Sequence, residues 1–196
     1  MNWRQLSTAV ASTGARNVIS RRSITRLANV LPDKKADLAP LFLIGLIALF
    51  HVLTIRAGHG WGGDFALYIH HAQNIVDGIP YTQTGYIYNP YYPSVSPHFY
   101  PPLFPLLLAP LVALFGLNLA TLKLVVIFFF ILFLLVLYLG LQEWLGTPFM
   151  LALLALVGLN PYLWNFKDDI RAEYLFLFFT YLALWLIRRQ ERKEEP

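Results

Sequence analysis

Five long stretches without a charged side chain divide this chain, and they constrain its fold more than any other feature. A helix of about 20 apolar residues crosses a bilayer core of roughly 30 Å, and lipid accepts only backbone that satisfies its own hydrogen bonds. Only 13% of the residues are charged, about half the share in a soluble domain. We therefore expect an all-α fold, a polytopic membrane helical bundle. The stretches are 38–55, 101–117, 124–141, 148–166 and 174–187.

The basic residues predict how the chain crosses the membrane. Seven of the fifteen Lys and Arg lie in 1–35 and four in 188–193, and such clusters favour the cytoplasmic side. Two cytoplasmic ends require an even number of crossings. The stretch 101–117 contains four prolines, so we expect it to form an interfacial helix rather than a span. About four transmembrane helices remain. Their expected positions are roughly 38–56, 118–142, 148–165 and 171–189.

This topology divides the chain into a basic cytoplasmic tail, 1–37, a membrane module, 38–189, and a charged cytoplasmic end, 190–196. The module has a first outer loop at 57–117 and a second at 166–171. The Ser- and Arg-rich composition of the tail leaves a cleaved transit peptide open as an alternative. We expect a multi-pass protein of the plasma membrane, with its N-terminus in the cytoplasm. Nucleic acid is not an expected partner, because the basic clusters flank hydrophobic segments.

An aspartate in the first outer loop follows a flexible turn. Gly60, Gly62 and Gly63 allow the backbone to turn sharply, and Asp64 comes directly after them, at the start of a short helix that we expect to end near Asp77. Asp64 is suited to cap that helix. It is equally suited to present a carboxylate to a cleft, and the two roles are compatible.

A second acidic segment leads into the last apolar stretch. Asp169 and Glu173 are four residues apart, which would place them on one face of a helix. Ionisable groups at the mouth of a membrane helix are costly unless they face a polar cavity, so they are functional candidates. A solvated helix start is the alternative. Lys167 and Arg171 are suited either to pair with these acids or to contact a lipid phosphate.

Aromatic residues dominate the rest of the first outer loop. Residues 81–105 include eight tyrosines or phenylalanines and six prolines, which is ordinary at a membrane interface but also suits stacking on sugar rings or holding an isoprenoid chain. Adjacent histidines on a helix point in different directions, so His70 and His71 are not expected to share a metal. His51, inside the first span, is expected to be packed and hydrogen-bonded.

Taken in order, these motifs resemble the N-terminal part of GT-C class membrane glycosyltransferases, above all the protein O-mannosyltransferases and the bacterial lipid A aminoarabinose transferases. The resemblance covers roughly residues 38–189. Many members have a second acid after the loop aspartate, where this chain has Phe65. The motifs are Gly-Gly-Asp64 with Tyr68 and Ala72, then Gly78-Ile79-Pro80-Tyr81, then a stretch that starts with 99–105 and ends with Leu114-Phe115-Gly116, and finally the acidic run 166–176.

The resemblance implies a glycosyltransferase that moves sugar from a polyprenyl-phosphate donor to a glycan, lipid or protein acceptor. It assigns Asp64 as general base, with Glu173 or next Asp169 as second acid. It also suggests Tyr68, His71, Tyr100, Lys167 and Arg171 as substrate-binding residues. Arg56 and Lys123 are further cations expected near the outer face. No cofactor is assigned beyond the lipid-linked sugar donor, and a divalent metal stays open.

Relatives continue for many more spans, so we expect this chain to be an N-terminal fragment of a cell-envelope enzyme. A non-catalytic membrane subunit or a lipid-carrier transporter is the alternative. A transporter would more typically place charges at mid-membrane, whereas the acids here lie at one membrane face.

Overall fold

Seven helices and no strand form the part of the chain described by the computed structural model, residues 38–58, 65–84, 91 and 100–194. The predicted all-α fold is therefore confirmed for these residues. The helices are α1 Leu38–Leu53, α2 Phe65–Asp77, α3 Leu103–Phe115, α4 Leu119–Leu141, α5 Thr147–Gly158, α6 Pro161–Phe166 and α7 Glu173–Glu194.

Helix α4 is the centre of the bundle, since α1, α3, α5 and α7 all pack against it. It is capped by Asn118, whose side-chain oxygen accepts a hydrogen bond from the Thr121 N–H at 3.2 Å. Among the described helices, α4 is the one long and apolar enough to cross a membrane, with 23 residues and a mean hydropathy of 3.2. Helices α1, α3 and α5 are also apolar, but they have 16, 13 and 12 residues.

One predicted span is not a continuous helix. Residues 148–165 were expected to form a single crossing, but α5 ends at Gly158 and α6 begins at Pro161. Proline has no N–H to donate, and the Asn160 side chain accepts from the N–H of Tyr162 at 2.9 Å, so a new helix begins here. The prediction of one helix was wrong because it overlooked this Asn-Pro start signal.

Two boundaries also differ from the predicted ones. Helix α1 ends at Leu53, before the expected position 56, and α7 begins at Glu173 rather than 171. Asp169 therefore precedes the helix, and the expectation that it shares a helical face with Glu173 was wrong. At its other end α7 continues to Glu194, through most of the predicted charged end.

Two helices form within the segment predicted to be the first outer loop, at the positions that the sequence predicts. Helix α2 begins directly after Asp64 and ends at Asp77, and α3 lies within 101–117 despite Pro110. The two helices pack against each other. Gly116 ends α3 with a φ of 63°, a left-handed conformation that glycine adopts without strain.

Helices α1 and α5 are in close contact at Gly158. A Cβ atom there would lie 2.5 Å from the Cδ1 of Ile47, which is buried. The Gly158 carbonyl also accepts a hydrogen bond from His51 Nε2 at 2.8 Å. His51 is fully buried and lies 4.9 Å from the Phe130 ring, between centroids, which confirms that it is a packed, hydrogen-bonded residue.

Gly158→Ala should therefore lower the free energy of unfolding by about 1–3 kcal/mol, because overpacking forces Ile47 out of its place. Gly45→Ala in α1 is the control: no atom lies within 4 Å of the added methyl group, and alanine favours the helix. Thermal unfolding in detergent micelles, followed by circular dichroism, measures both variants. Equal melting temperatures for the two would contradict the close contact.

Candidate functional site

A buried carboxylate lies at one end of the bundle, in the connection between α6 and α7. Asp168 is 5% exposed, and it meets the chain just past the end of α1 and the first turns of α4. Three cations surround it: Arg56, Lys123 and Lys167. These four residues are called the Asp168 cluster below. Three positive charges therefore face one buried negative charge at this end of the bundle.

Both oxygens of Asp168 accept hydrogen bonds. Oδ2 accepts from Lys167 Nζ at 2.6 Å and from Arg56 Nε at 2.7 Å. Oδ1 accepts from the Arg56 backbone N–H at 2.9 Å, and Lys123 Nζ lies 3.5 Å away. Burial by itself would raise the pKa of Asp168, but the hydrogen bonds from Lys167 and Arg56 outweigh it, so the pKa is lowered. Asp168 is therefore ionised at neutral pH.

The two lysines of the cluster also bind backbone carbonyls. Lys123 Nζ donates to the Arg56 carbonyl at 2.7 Å and to the Gly58 carbonyl at 2.6 Å. Lys167 Nζ donates to the Thr54 carbonyl at 2.7 Å. Neither lysine is exposed. The two ammonium groups therefore hold residues 54–58, the segment that follows α1, in place. This segment ends six residues before Asp64.

Trp164 covers one side of the cluster. Its ring centroid lies 4.6 Å from Lys167 Nζ and 5.2 Å from the Arg56 guanidinium carbon, both within the range of cation–π attraction. Its indole N–H donates to Thr54 Oγ1 at 2.8 Å. The aromatic ring thus shields the buried charges and ties α6 to the end of α1.

A cleft of about 360 Å³ opens beside the cluster, lined by Arg56, Gly58, Asp168 and Asp169. The Arg56 side chain is 52% exposed, so it is the cation of the cluster that a ligand in the cleft can reach. Its Nη2 also donates to Asn165 Oδ1 at 3.1 Å. An exposed guanidinium beside two buried ammonium groups attracts an anion, and a phosphate suits its planar donors.

Arg171 lies between the two predicted catalytic acids of this segment. Its guanidinium is 3.7 Å from Asp169 Oδ2 and 3.9 Å from Glu173 Oε1, too far for hydrogen bonds. Its buried Nε has no hydrogen-bond partner. The Phe65 ring centroid lies 5.9 Å from the Arg171 guanidinium carbon. Arg171 thus joins the start of α2 to the segment that carries Asp169 and Glu173.

The three predicted aromatic and histidine residues meet in a second group, between α2 and α3. The Tyr68 and Tyr100 rings are 4.8 Å apart, and His71 stacks on Tyr81 at 4.1 Å, between centroids. His71 Nδ1 donates to the Tyr81 carbonyl at 2.7 Å, and Nε2 accepts from the Tyr100 N–H at 3.4 Å. These partners assign the neutral tautomer with the proton on Nδ1. His71 is buried and His70 is exposed, so the two do point apart.

This geometry makes the α2–α3 connection sensitive to pH. Burial is the main cause that lowers the pKa of His71. The hydrogen bond to the Tyr81 carbonyl opposes this shift, and the neighbouring His70 adds to it. The pKa of His71 is lower in the folded chain than in the unfolded chain. The stabilisation of the fold by neutral His71 is therefore complete above about pH 6.5 and is lost as the pH falls through the pKa of the folded state. After correction for intrinsic exchange, the Tyr100 amide should exchange hydrogen faster at pH 5 than at pH 7.5. His70→Asn should leave that difference unchanged, and an exchange rate independent of pH would contradict the assignment.

The candidate residues of the second acidic segment, Lys167, Asp169, Arg171 and Glu173, lie in the α6–α7 connection and at the start of α7. Asp64 falls outside the described residues. The residue at the centre is Asp168, which the sequence analysis did not single out. The sequence gives little reason to choose Asp168, because it is one of three acidic residues in 168–173. Only the packing of α1 and α4 brings Arg56 and Lys123 to it. In the described ranges, no three His, Asp or Glu side chains converge as a metal site.

Comparisons with known proteins add no relative: no family model matches the sequence, and neither a curated protein nor a solved structure is significantly similar to it.

Proposed function

We propose that this chain is the N-terminal membrane module of a GT-C type glycosyltransferase, which takes sugar from a polyprenyl-phosphate carrier at the outer face of the plasma membrane. The observation that carries the proposal is the contact between Phe65 and Arg171. Phe65 directly follows Asp64 in the sequence, and Arg171 lies between Asp169 and Glu173. The two acidic motifs of the resemblance are therefore linked by neighbouring residues at one end of the bundle.

The proposed membrane arrangement has four crossings: α1, α4, the α5–α6 pair and α7. Helix α1 has 16 residues and so spans about 24 Å at 1.5 Å per residue, slightly short of a bilayer core. Its outward side supports a lipid environment, because Phe42, Leu46 and Leu49 are exposed on it. Phe149 and Leu156 on α5 and Phe176 and Phe179 on α7 are exposed as well. Helix α3 lies along the outer surface in this arrangement.

The chemistry follows from the charges at this end. The Asp64 carboxylate takes the proton of the acceptor hydroxyl or amine as that group attacks the anomeric carbon of the sugar. The bond from that carbon to the phosphate oxygen breaks, polyprenyl phosphate leaves, and the configuration inverts. Arg56 is the cation of the cleft that is suited to stabilise the leaving phosphate. Lys167, predicted for this role, is fully buried and bonded to Thr54 and Asp168, so we assign it a supporting one.

The topology can be tested by labelling, because the chain has no cysteine. Asp64→Cys and Glu173→Cys should both react with a membrane-impermeant maleimide added from the non-cytoplasmic side. Gly146→Cys, in the turn between α4 and α5, is the control and should react only from the cytoplasmic side. Labelling of positions 64 and 173 from opposite sides would contradict the proposal.

A non-catalytic membrane subunit is the second candidate, and one observation favours it. Lys123 and Lys167, two of the three cations around Asp168, have no exposed surface and donate to backbone carbonyls. Their charges are thus used inside the protein rather than on a ligand. The two functions differ in the expected effect of replacing Asp64, which would alter sugar transfer only in an enzyme.

A further inference from the structure

The opposite end of the bundle has a second cleft, of about 380 Å³, between α4 and α7. Its volume falls within the roughly 300–1,000 Å³ of small-molecule sites. The walls are mostly apolar, and the charged residues at its mouth are Arg188 and Glu191. Its principal wall residues are Leu137, Gly140, Leu184 and Trp185. This cleft belongs to neither acidic motif, so the proposed transfer reaction does not use it.

The mouth of the cleft lies at the level expected for a membrane surface. The Arg188 guanidinium carbon is 4.2 Å from the ring centroid of Trp144, in the turn between α4 and α5. Tryptophan and arginine at the end of apolar helices typically lie among lipid headgroups. The apolar walls then extend from this level toward the bilayer core. A ligand with a polar head at Arg188 and an apolar chain along Leu137 and Leu184 fits both parts.

The two charged residues of the α4–α7 cleft indicate which lipid headgroup would bind there. Arg188 and Glu191 are three residues apart on α7 and line the same cleft, which places one positive and one negative group side by side. Glu143, the nearby acid of the α4–α5 turn, is paired with Arg192 instead. A purely anionic head would satisfy Arg188 but meet the Glu191 carboxylate. A phosphate with a primary ammonium group satisfies both, because the ammonium can donate a hydrogen bond to the carboxylate.

We propose that the α4–α7 cleft is a binding site for a phosphoethanolamine phospholipid, with the phosphate on Arg188, the ammonium on Glu191 and an acyl chain along the apolar walls. The inference rests on the membrane location proposed above, but not on glycosyl transfer. Gly140 matters to it because this residue leaves room opposite Trp185, whose Cδ1 would lie 3.9 Å from an added Cβ. A larger side chain at position 140 would fill the space that the acyl chain requires.

The test is lipid binding by the purified full chain in uncharged detergent, measured by native mass spectrometry with dioleoyl phosphatidylethanolamine, phosphatidylcholine or phosphatidylglycerol. Phosphatidylethanolamine should bind best. Arg188→Gln should weaken it about fivefold, the usual contribution of one basic residue at a lipid surface. Glu191→Gln should remove the preference over phosphatidylcholine, whose head has no N–H to donate. Gly140→Leu should reduce the binding of all three lipids.

Two matched controls make the result specific. Arg189→Gln removes the same charge one residue further along α7, where the guanidinium lies 5.4 Å from the Trp185 ring centroid but does not line the cleft, and it should bind lipid nearly normally. Gly45→Leu adds the same bulk to an exposed position of α1 and should also bind normally. Equal binding of the three lipids by the wild type, or equal losses in Arg188→Gln and Arg189→Gln, would overturn the inference alone. A chain that does not insert into vesicles would overturn the membrane proposal as well.

Discussion

Asp168→Asn should destabilise the folded bundle by about 3–5 kcal/mol, the usual cost of removing one partner from a buried ion pair. The carboxylate accepts from Lys167 and Arg56 and lies 3.5 Å from Lys123. Without its charge, the two fully buried ammonium groups would lose the carboxylate that they face. Asparagine keeps the size of the side chain, so the effect isolates the charge. Urea denaturation in detergent micelles, followed by far-ultraviolet circular dichroism, gives the difference in free energy.

The neighbouring residue provides a matched control for this variant. Asp169 is 32% exposed at its side chain, and its nearest cation, Arg171, lies 3.7 Å away. An ion pair of this kind contributes at most about 1 kcal/mol, so Asp169→Asn should be nearly as stable as the wild type. If Asp168→Asn and Asp169→Asn unfolded at the same urea concentration, the Asp168 cluster would not be the electrostatic centre that its geometry indicates.

If the chain acts as the proposed glycosyltransferase, Asp64→Asn should lower sugar transfer about 10²–10⁴-fold, the usual contribution of a general base. The amide keeps the shape of the carboxylate but cannot accept the proton of the acceptor. The measurement is release of polyprenyl phosphate from a panel of polyprenyl-phosphate sugars. Membrane insertion and thermal stability should remain as in the wild type, because asparagine has the size of aspartate and caps a helix equally well.

Asp77→Asn is the control for this experiment. Asp77 is an exposed aspartate at the other end of α2, so its replacement changes the charge of the same loop without changing the proposed base. It should leave transfer unchanged. Near-normal transfer by Asp64→Asn would exclude Asp64 as the base and would favour the non-catalytic subunit.

The sequence predicts elements whose signals are local. Helix α2 was expected between Asp64 and about Asp77 because a glycine turn precedes it, and it extends over Phe65–Asp77. Helix α4 was expected within 118–142 from its uniform apolar run, and it extends over Leu119–Leu141. The Asn160–Pro161 pair is also a local signal, for a helix break. The long apolar stretch that contains it predicts a single span instead, and that signal is the misleading one.

The centre of the candidate site was not predictable in the same way. Arg56 and Lys123 are 67 residues apart in the sequence, yet the Arg56 carbonyl accepts a hydrogen bond from Lys123 Nζ. Nothing near either residue indicates that pairing, which depends on how α1 and α4 pack. The sequence predicts that both cations lie near the outer membrane face, which stays a prediction. It could not indicate that Lys123 is fully buried while the Arg56 side chain is half exposed.

The contacts of the two buried lysines determine how deeply this end of the protein can lie in a membrane. The last carbonyls of a helix and those just beyond it ordinarily need water, and a lipid environment penalises any that are unsatisfied. Past the end of α1, the Thr54, Arg56 and Gly58 carbonyls accept hydrogen bonds from Lys167 and Lys123. Ammonium groups thus replace solvent at this terminus. In the proposed membrane arrangement, α1 can therefore end below the aqueous boundary, at the depth of a lipid phosphate.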